Sequence, residues 1–129
     1  CNLDDCTGEA IGFAMERLLD AGALDVYWTS VGMKKNRPGI LLTCMCRPLD
    51  REKMVELLFR HTTTLGVRES AFRRYTLSRE SKTIQTPDGD IRVKVSTGYG
   101  VVREKPEFDD LAKIARETGK SLSELQKNI

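Results

Sequence analysis

The sequence predicts an α+β fold: a ferredoxin-like βαββαβ core over residues 1–78, followed by a β-hairpin and C-terminal helices. Helical apolar spacing alternates with strand-like apolar runs in the first half. Strong turn signals lie at 34–39 and 87–90. We interpret the 129 residues as a single domain with 1–78 and 79–129 as candidate sub-units. Because the chain starts without a Met, we expect it to be a fragment of a longer protein.

The first half supplies the core elements in order. Residues 1–6 predict a short strand, and Thr7 can cap the helix that follows. The helix has a buried stripe formed by Ile11, Ala14, Met15, Leu18 and Leu19. Strands are expected over 24–31 and 40–46, and a second helix over 51–60, with His61 in its last turn.

The third and fourth predicted strands indicate surfaces that could contact a partner. The third strand, 40–46, is apolar on both faces, so one face packs on the helices and the other needs a cover. We therefore expect a homo-oligomer, of undetermined order. Residues 66–77 predict a fourth strand that carries Arg68, Arg73 and Arg74 and faces solvent or a charged partner.

The second half predicts a hairpin and two helices. Residues 81–86 and 91–97 flank a turn at 87–90, and 101–105 suit one more short strand. Pro106 suits the first turn of a helix whose buried face includes Phe108 and which ends at Gly119. Ser121 and Glu124 form the capping box of a last short helix.

The turn at 33–39 is the strongest candidate site. Lys34, Lys35 and Arg37 lie within four residues, with no acid between Val31 and Arg47. Crowded cations repel one another unless an anion lies among them, and phosphate suits both Lys and Arg. The alternative, a solvated hairpin tip without a ligand, stays open.

Other charged residues can complete a site for a metal-bound phosphate chain. The further cations are Arg68, Lys94 and Lys105. Asp4 and Asp5 precede a helix and could hold a magnesium ion shared with phosphate oxygens, or could simply cap that helix. Glu107 is interpreted as a favourable acid in the first turn of a helix.

The cysteines and the missing motifs exclude several functions. Cys44 and Cys46 lie on one face of a strand, there is no CxxC, and we interpret the four cysteines as small buried hydrophobes. No secretory signal is recognisable, which favours the cytoplasm. A P-loop, a GxGxxG and an HExxH are absent, so no catalytic residue can be assigned.

Five motifs in order resemble the LarC family, the nickel insertion proteins that make the nickel-pincer nucleotide of lactate racemase. They are the segments MKKNRPG at 33–39, NLDD at 2–5, ERLLDAGALDV at 16–26, TTTLGVR at 62–68 and KPE at 105–107. The resemblance covers most of this chain but only the C-terminal part of the family.

The resemblance implies a nucleotide-binding domain. Such proteins are CTP-dependent cyclometallases that insert nickel into pyridinium-3,5-bisthiocarboxylic acid mononucleotide. CTP is hydrolysed to CMP and pyrophosphate with Mg²⁺ or Mn²⁺. The resemblance implies that this domain binds CTP, while the nickel-handling residues lie largely in the N-terminal half of the family.

Two other functions remain open: an RNA-binding module and an oligomerisation module without catalysis. RNA recognition needs exposed aromatic rings, and the sequence assigns Phe13, Trp28, Phe59 and Phe108 to the core. A net charge of +2 is also small for bulk nucleic-acid binding, so we expect no nucleic-acid partner and no membrane.

Overall fold

The computed structural model describes all 129 residues, and the chain folds into two compact units, Cys1–Ala71 and Phe72–Ile129. Each unit combines helices with one three-stranded antiparallel sheet. The α+β class is therefore confirmed. None of the helices has the length and apolar character needed to cross a bilayer.

Unit 1 combines two helices with a small sheet. Its elements are β1 (Asn2–Leu3), α1 (Gly8–Asp20), β2 (Asp25–Met33), β3 (Arg37–Met45) and α2 (Arg51–His61). The strand order is β1-β3-β2, with β3 in the centre. As predicted, Thr7 caps α1: its hydroxyl accepts a hydrogen bond from the Ala10 amide, at 3.2 Å.

The core of unit 1 lies between the helices and one face of the sheet. Its buried members are Cys1, Leu3, Ile11, Leu18, Val26, Leu42, Met54 and Leu58. The stripe predicted for α1 is confirmed at Ile11, Ala14 and Leu18, whereas Leu19 is half exposed. In α2 the buried residues are Met54 and Leu58.

The predicted fourth strand over 66–77 is wrong, because residues 62–77 form no helix or strand. The segment lacks the apolar alternation that would give a strand a buried face. Val67 packs against the core, and the Arg68 guanidinium donates to Asn2 Oδ1 at 2.6 Å. Side-chain contacts therefore hold this segment, in place of the strand pairing of a ferredoxin-like fold. The ferredoxin-like arrangement is not confirmed.

Unit 2 contains the second sheet and two helices. Its elements are β4 (Ser78–Thr86), β5 (Gly89–Gly98), β6 (Val101–Pro106), α3 (Phe108–Thr118) and α4 (Leu122–Gln126). The strand order follows the chain, β4-β5-β6. One face packs on the helices through Ile84, Ile91, Val93, Leu111, Ile114 and Leu125. The hairpin, the last short strand and both helices are as predicted.

The helix ends of unit 2 follow local chemistry. Gly119 ends α3 in the left-handed conformation, at φ 72°. The capping box of Ser121 and Glu124 is formed at the start of α4. Pro106 closes β6 and does not enter α3, because Glu107 is the residue before the first helical turn.

The aromatic residues assigned to the core are not buried. Trp28 is 50% exposed and Phe108 60% exposed, and Phe13 and Phe59 are also about half exposed. Trp28 lies on the helix-facing side of β2, whereas Phe13, Phe59 and Phe108 lie on partly exposed sides of α1, α2 and α3. These rings are available for contact with a ligand or another surface.

Candidate functional site

The cationic turn is the tip of the β2–β3 hairpin, as predicted. Met33 pairs with Arg37, and a single 3-10 turn, Lys34–Asn36, connects the strands. Lys35 and Asn36 both adopt positive φ, at 61° and 57°. Pro38 and Gly39 lie within β3 and not in the turn that their residue types suggested.

The three cations differ in their surroundings. Lys34 and Lys35 are exposed at the tip. Arg37 Nη1 lies 3.3 Å from Asp4 Oδ2, and the Asp4 side chain is 19% exposed. This ion pair brings the hairpin tip to the connection between β1 and α1. The geometry therefore places a carboxylate predicted to hold a metal beside a cation predicted to hold phosphate.

A cleft of about 340 Å³ lies beside this ion pair. Its walls come from the β1–α1 connection, the first turns of α1 and the β2–β3 hairpin. The lining residues are Leu3, Asp4, Cys6, Gly8, Ile11, Trp28, Pro38, Gly39 and Ile40. The walls are mostly apolar, with a carboxylate at one edge and an aromatic ring at another. That composition suits a planar or apolar organic group.

The two acids predicted for the metal face different partners. Asp4 pairs with Arg37, and Asp5 Oδ1 accepts a hydrogen bond from Thr63 Oγ1 at 2.5 Å. No group of three or more His, Cys, Asp or Glu side chains converges anywhere in the chain. The residues fit Mg²⁺ or Mn²⁺ shared with phosphate oxygens, because magnesium needs only one or two carboxylates in such sites.

The remaining predicted cations do not join the hairpin group. Arg68 lies in unit 1 and bonds to Asn2 on β1. Lys94 and Lys105 lie in unit 2, where they are direct partners across β5 and β6. Lys94 Nζ also lies 2.8 Å from Glu107 Oε1. Glu107 is thus an ion-pair partner of a predicted site residue.

The cysteines and the histidine of unit 1 have structural surroundings. Cys44 and Cys46 pack against the core, and burial, with Cys46 as a second cause, raises the pKa of the Cys44 thiol to about 11. A thiol with that pKa stays protonated at neutral pH and is a poor metal ligand. His61 packs edge-on against Phe13, with ring centroids 5.5 Å apart.

Sequence reasoning missed Trp28 as a cleft residue and Arg79 and Arg103 as neighbours of Lys94. Trp28 looked like a core residue because it alternates with polar residues along its strand. Arg79 and Arg103 both pair with Ser96, one on each side. Only the register of the three strands shows that proximity.

Comparison with known proteins assigns the class. The family described as nickel insertion protein matches residues 1–126. A pyridinium-3,5-bisthiocarboxylic acid mononucleotide nickel insertion protein of Acetivibrio thermocellus is 45% identical over 96% of this chain and 30% of its own length. Its counterpart in Lactiplantibacillus plantarum is 41% identical over 90% of this chain and 28% of its own length.

A solved structure agrees over nearly the whole chain. It is LarC2, the C-terminal domain of a cyclometallase involved in the synthesis of the NPN cofactor of lactate racemase, in its apo form. The TM-score is 0.90 at 38% identity, covering 98% of this chain and 88% of that one. The fold is therefore that of a cyclometallase C-terminal domain.

The chain belongs to the nickel insertion protein family. The resemblance identified from the five motifs is thereby confirmed. The chain spans about three tenths of the length of the curated relatives it matches.

Proposed function

We propose that this chain is the CTP-binding part of a nickel insertion protein, with the triphosphate held at the β2–β3 hairpin. The observation that carries the proposal is the cation group Lys34, Lys35 and Arg37 next to a cleft and to Asp4. Arg37 offers a fork of donors to phosphate oxygens, and the two lysines add point charge. Of the other sequence-assigned cations, Arg68 bonds to Asn2 in unit 1, and Lys94 and Lys105 belong to unit 2.

The metal of this proposal is Mg²⁺ or Mn²⁺, held jointly by protein and ligand. Asp4 and Asp5 supply carboxylate oxygens, and the phosphate chain supplies the remainder. A divalent cation between them would neutralise charge that builds up on the leaving pyrophosphate. In the chain itself, the ion pair with Arg37 holds the Asp4 carboxylate close to the hairpin.

The cleft beside the hairpin is the proposed place for the nucleoside. Trp28 is half exposed on its wall and offers a ring face on which a base can stack. Base stacking on an aromatic side chain contributes about 1–3 kcal/mol. The selectivity for cytosine rests on the family resemblance.

The whole protein is proposed to act as a CTP-dependent cyclometallase. Nickel and pyridinium-3,5-bisthiocarboxylic acid mononucleotide are its substrates, and CTP is hydrolysed to CMP and pyrophosphate. The relatives named for this nickel insertion step are about three times longer than this chain. We therefore assign nucleotide binding to this chain and the insertion itself to the full-length protein.

Calorimetric titration with CTP and Mg²⁺ tests the proposal. Each charge-assisted contact to phosphate contributes roughly 1.5–3 kcal/mol, so Lys34→Ala or Arg37→Ala should weaken CTP binding about tenfold to a hundredfold. Asp5→Asn should raise the metal concentration required. Rising salt should weaken binding by the wild type, because the contacts are electrostatic.

Arg60→Ala is the matched control. Arg60 is an exposed cation of unit 1 that pairs with Glu56 on α2, away from the hairpin. Its removal lowers the net charge as much as Arg37→Ala does but should leave the affinity for CTP unchanged. If Lys34→Ala and Arg37→Ala bind CTP as tightly as the wild type, the hairpin tip is only a solvated turn.

A further inference from the structure

The acidic segment, residues 2–5, carries three polar side chains, each held by a residue that is distant in sequence. Asp4 pairs with Arg37 of the hairpin. Asn2 and Asp5 are held instead by residues that follow α2. Two of the three contacts therefore come from a part of the chain that forms neither helix nor strand.

Three consecutive threonines begin that part of the chain, and two of them fix its backbone. The Thr62 hydroxyl donates to the Leu58 carbonyl at 2.6 Å, in the last turn of α2, and accepts from the Thr64 amide at 3.2 Å. The Thr64 hydroxyl donates to the Gly66 carbonyl at 2.8 Å. Bonds between side chain and backbone thus hold the loop on both sides of Thr63.

The middle threonine bonds to the acidic segment instead. Thr63 Oγ1 donates to Asp5 Oδ1 at 2.5 Å, although the two residues are 58 positions apart. Both residues are exposed, so water can replace either partner and the bond adds little to stability. Its main consequence is orientation: it fixes one oxygen of the carboxylate and leaves the other, Oδ2, for a cation.

A second bond joins the same two parts of the chain. The Arg68 guanidinium donates to Asn2 Oδ1 at 2.6 Å, and the neighbouring Val67 packs against the core of unit 1. Two bonds define how the parts lie relative to each other, whereas one bond would leave a rotation free. Residues 62–68 therefore form a clamp on the acidic segment.

We propose that Thr63 is a positioning residue for the divalent metal and acts through Asp5. The inference rests on the proposed function, in which Asp5 and the phosphate chain hold Mg²⁺ or Mn²⁺. A hydrogen bond to a carboxylate that binds a metal fixes its orientation, and loss of such a bond lowers metal affinity roughly 10–100-fold. Thr63 has this effect without touching the metal or the nucleotide.

The test measures the Mg²⁺ concentration that gives half-maximal CTP binding, by calorimetric titration at a series of metal concentrations. Thr63→Val keeps the shape of the side chain but removes the donor, so it should raise this concentration about tenfold or more. At saturating Mg²⁺ its affinity for CTP should equal that of the wild type. Thr63→Ser restores a hydroxyl and should need no more metal than the wild type.

Two controls separate positioning from a general effect on the fold. The thermal midpoint of Thr63→Val without ligand should match that of the wild type, because both bonded groups are exposed. Thr29→Val makes the same exchange at an exposed threonine of β2 and should leave the metal requirement unchanged. A Thr63→Val chain that binds CTP more weakly at every metal concentration would overturn the proposal, since that is the effect of a purely structural residue.

The variant Asp5→Asn separates this inference from the proposed function. If Asp5→Asn raises the metal requirement and Thr63→Val does not, the role of Thr63 is overturned while the metal site stands. If neither variant raises it, the proposed metal site fails and the positioning role fails with it. The double variant should need no more metal than Asp5→Asn alone, because Thr63 acts through Asp5. A further increase in the double variant would show that Thr63 acts elsewhere.

Discussion

At the hairpin tip, Lys35 holds a conformation that few side chains adopt. Its φ is 61° and that of Asn36 is 57°. The left-handed region costs a residue with a Cβ atom about 1–2 kcal/mol, and Asn tolerates it better than Lys. Such strain often marks functional sites. A glycine would relieve the strain of this turn but would remove the charge of Lys35.

Lys35→Gly should therefore stabilise the fold and impair binding together. We expect the free energy of unfolding to rise by about 1 kcal/mol. Relief of the strain increases stability, and the greater entropy of glycine in the unfolded chain offsets part of that gain. CTP affinity should fall about tenfold, since one phosphate contact is lost. Urea unfolding and calorimetric titration measure the two effects.

Asn36→Gly separates the two causes. It relieves the strain of the neighbouring left-handed residue and keeps all the cations of the turn. Its affinity for CTP should match that of the wild type. Equal losses of affinity in both glycine variants would show that turn rigidity, and not the charge of Lys35, supports binding.

At the scale of the elements, Gly39 of β3 lies where a side chain would collide with β1. A Cβ atom there would lie 2.5 Å from the Met33 sulfur and 2.7 Å from the Leu3 carbonyl oxygen. The sulfur ends a flexible side chain that can move, whereas the carbonyl belongs to the backbone of the next strand. Only glycine fits without displacing β1.

Gly39→Ala should lower the free energy of unfolding by about 1–3 kcal/mol, as overpacking does in other cores. The double variant Gly39→Ala, Met33→Ala should recover little of the loss, because the clash with the Leu3 carbonyl remains. Urea unfolding of both variants checks this expectation. Full recovery in the double variant would assign the constraint to Met33 instead.

The start of α3 is joined to β5 by a carboxylate. Asp110 accepts hydrogen bonds from the Arg92 amide at 2.9 Å and from its guanidinium at 2.9 and 2.7 Å. Hydrogen bonding from Arg92 is the main cause that lowers the pKa of Asp110 to about 2. A carboxyl with a lowered pKa in the folded state stabilises the fold above its unfolded pKa of 3.8.

This contribution should be lost as the pH falls from about 4 to about 2. We expect the thermal midpoint of the wild type to decrease more steeply over that window than that of Asp110→Asn. Asp109→Asn is the matched control, since Asp109 is an exposed neighbour outside this bond network. Parallel pH profiles for wild type and Asp110→Asn would contradict the expectation.

Elements with a local signal were predictable, and those that depend on tertiary contacts were not. Thr7, Gly119 and the Ser121–Glu124 box mark helix ends through bonds within one turn, so the sequence located them. Residues 66–77 were misassigned because the ferredoxin-like order was extended without apolar alternation. The segment is held instead by single side chains such as Val67 and Arg68.

At the scale of the whole molecule, the proximity of cations was predictable where they are close in sequence, but not where it depends on strand pairing. The hairpin cations are close in sequence, so their proximity was predictable before the fold was known. Arg79 and Arg103 are 24 positions apart and meet only through a shared partner, Ser96. The cleft next to Asp4 likewise depends on a contact between β1 and the hairpin, which no local pattern encodes.

Self-association is the prediction that belongs to the whole molecule. In unit 1 the register places Leu41 and Met45 of β3, with Tyr27 of β2, on the face opposite the buried Val26 and Leu42. No helix of unit 1 covers that face, because both helices pack on the other one. An apolar sheet face of this kind is usually buried against a partner.

Light scattering at micromolar concentration and physiological salt should give a mass of at least two chains. Leu41→Lys should shift the mass to that of one chain, because a cation in the middle of the face must be desolvated on association. Leu19→Lys, a change at an exposed leucine of α1, should leave the mass unchanged. A wild-type mass of one chain would refute self-association through this face, whereas dimer, trimer and hexamer are each compatible with it. If Leu41→Lys is a monomer, its affinity for CTP shows whether the binding site needs residues from a second copy or is complete within one chain.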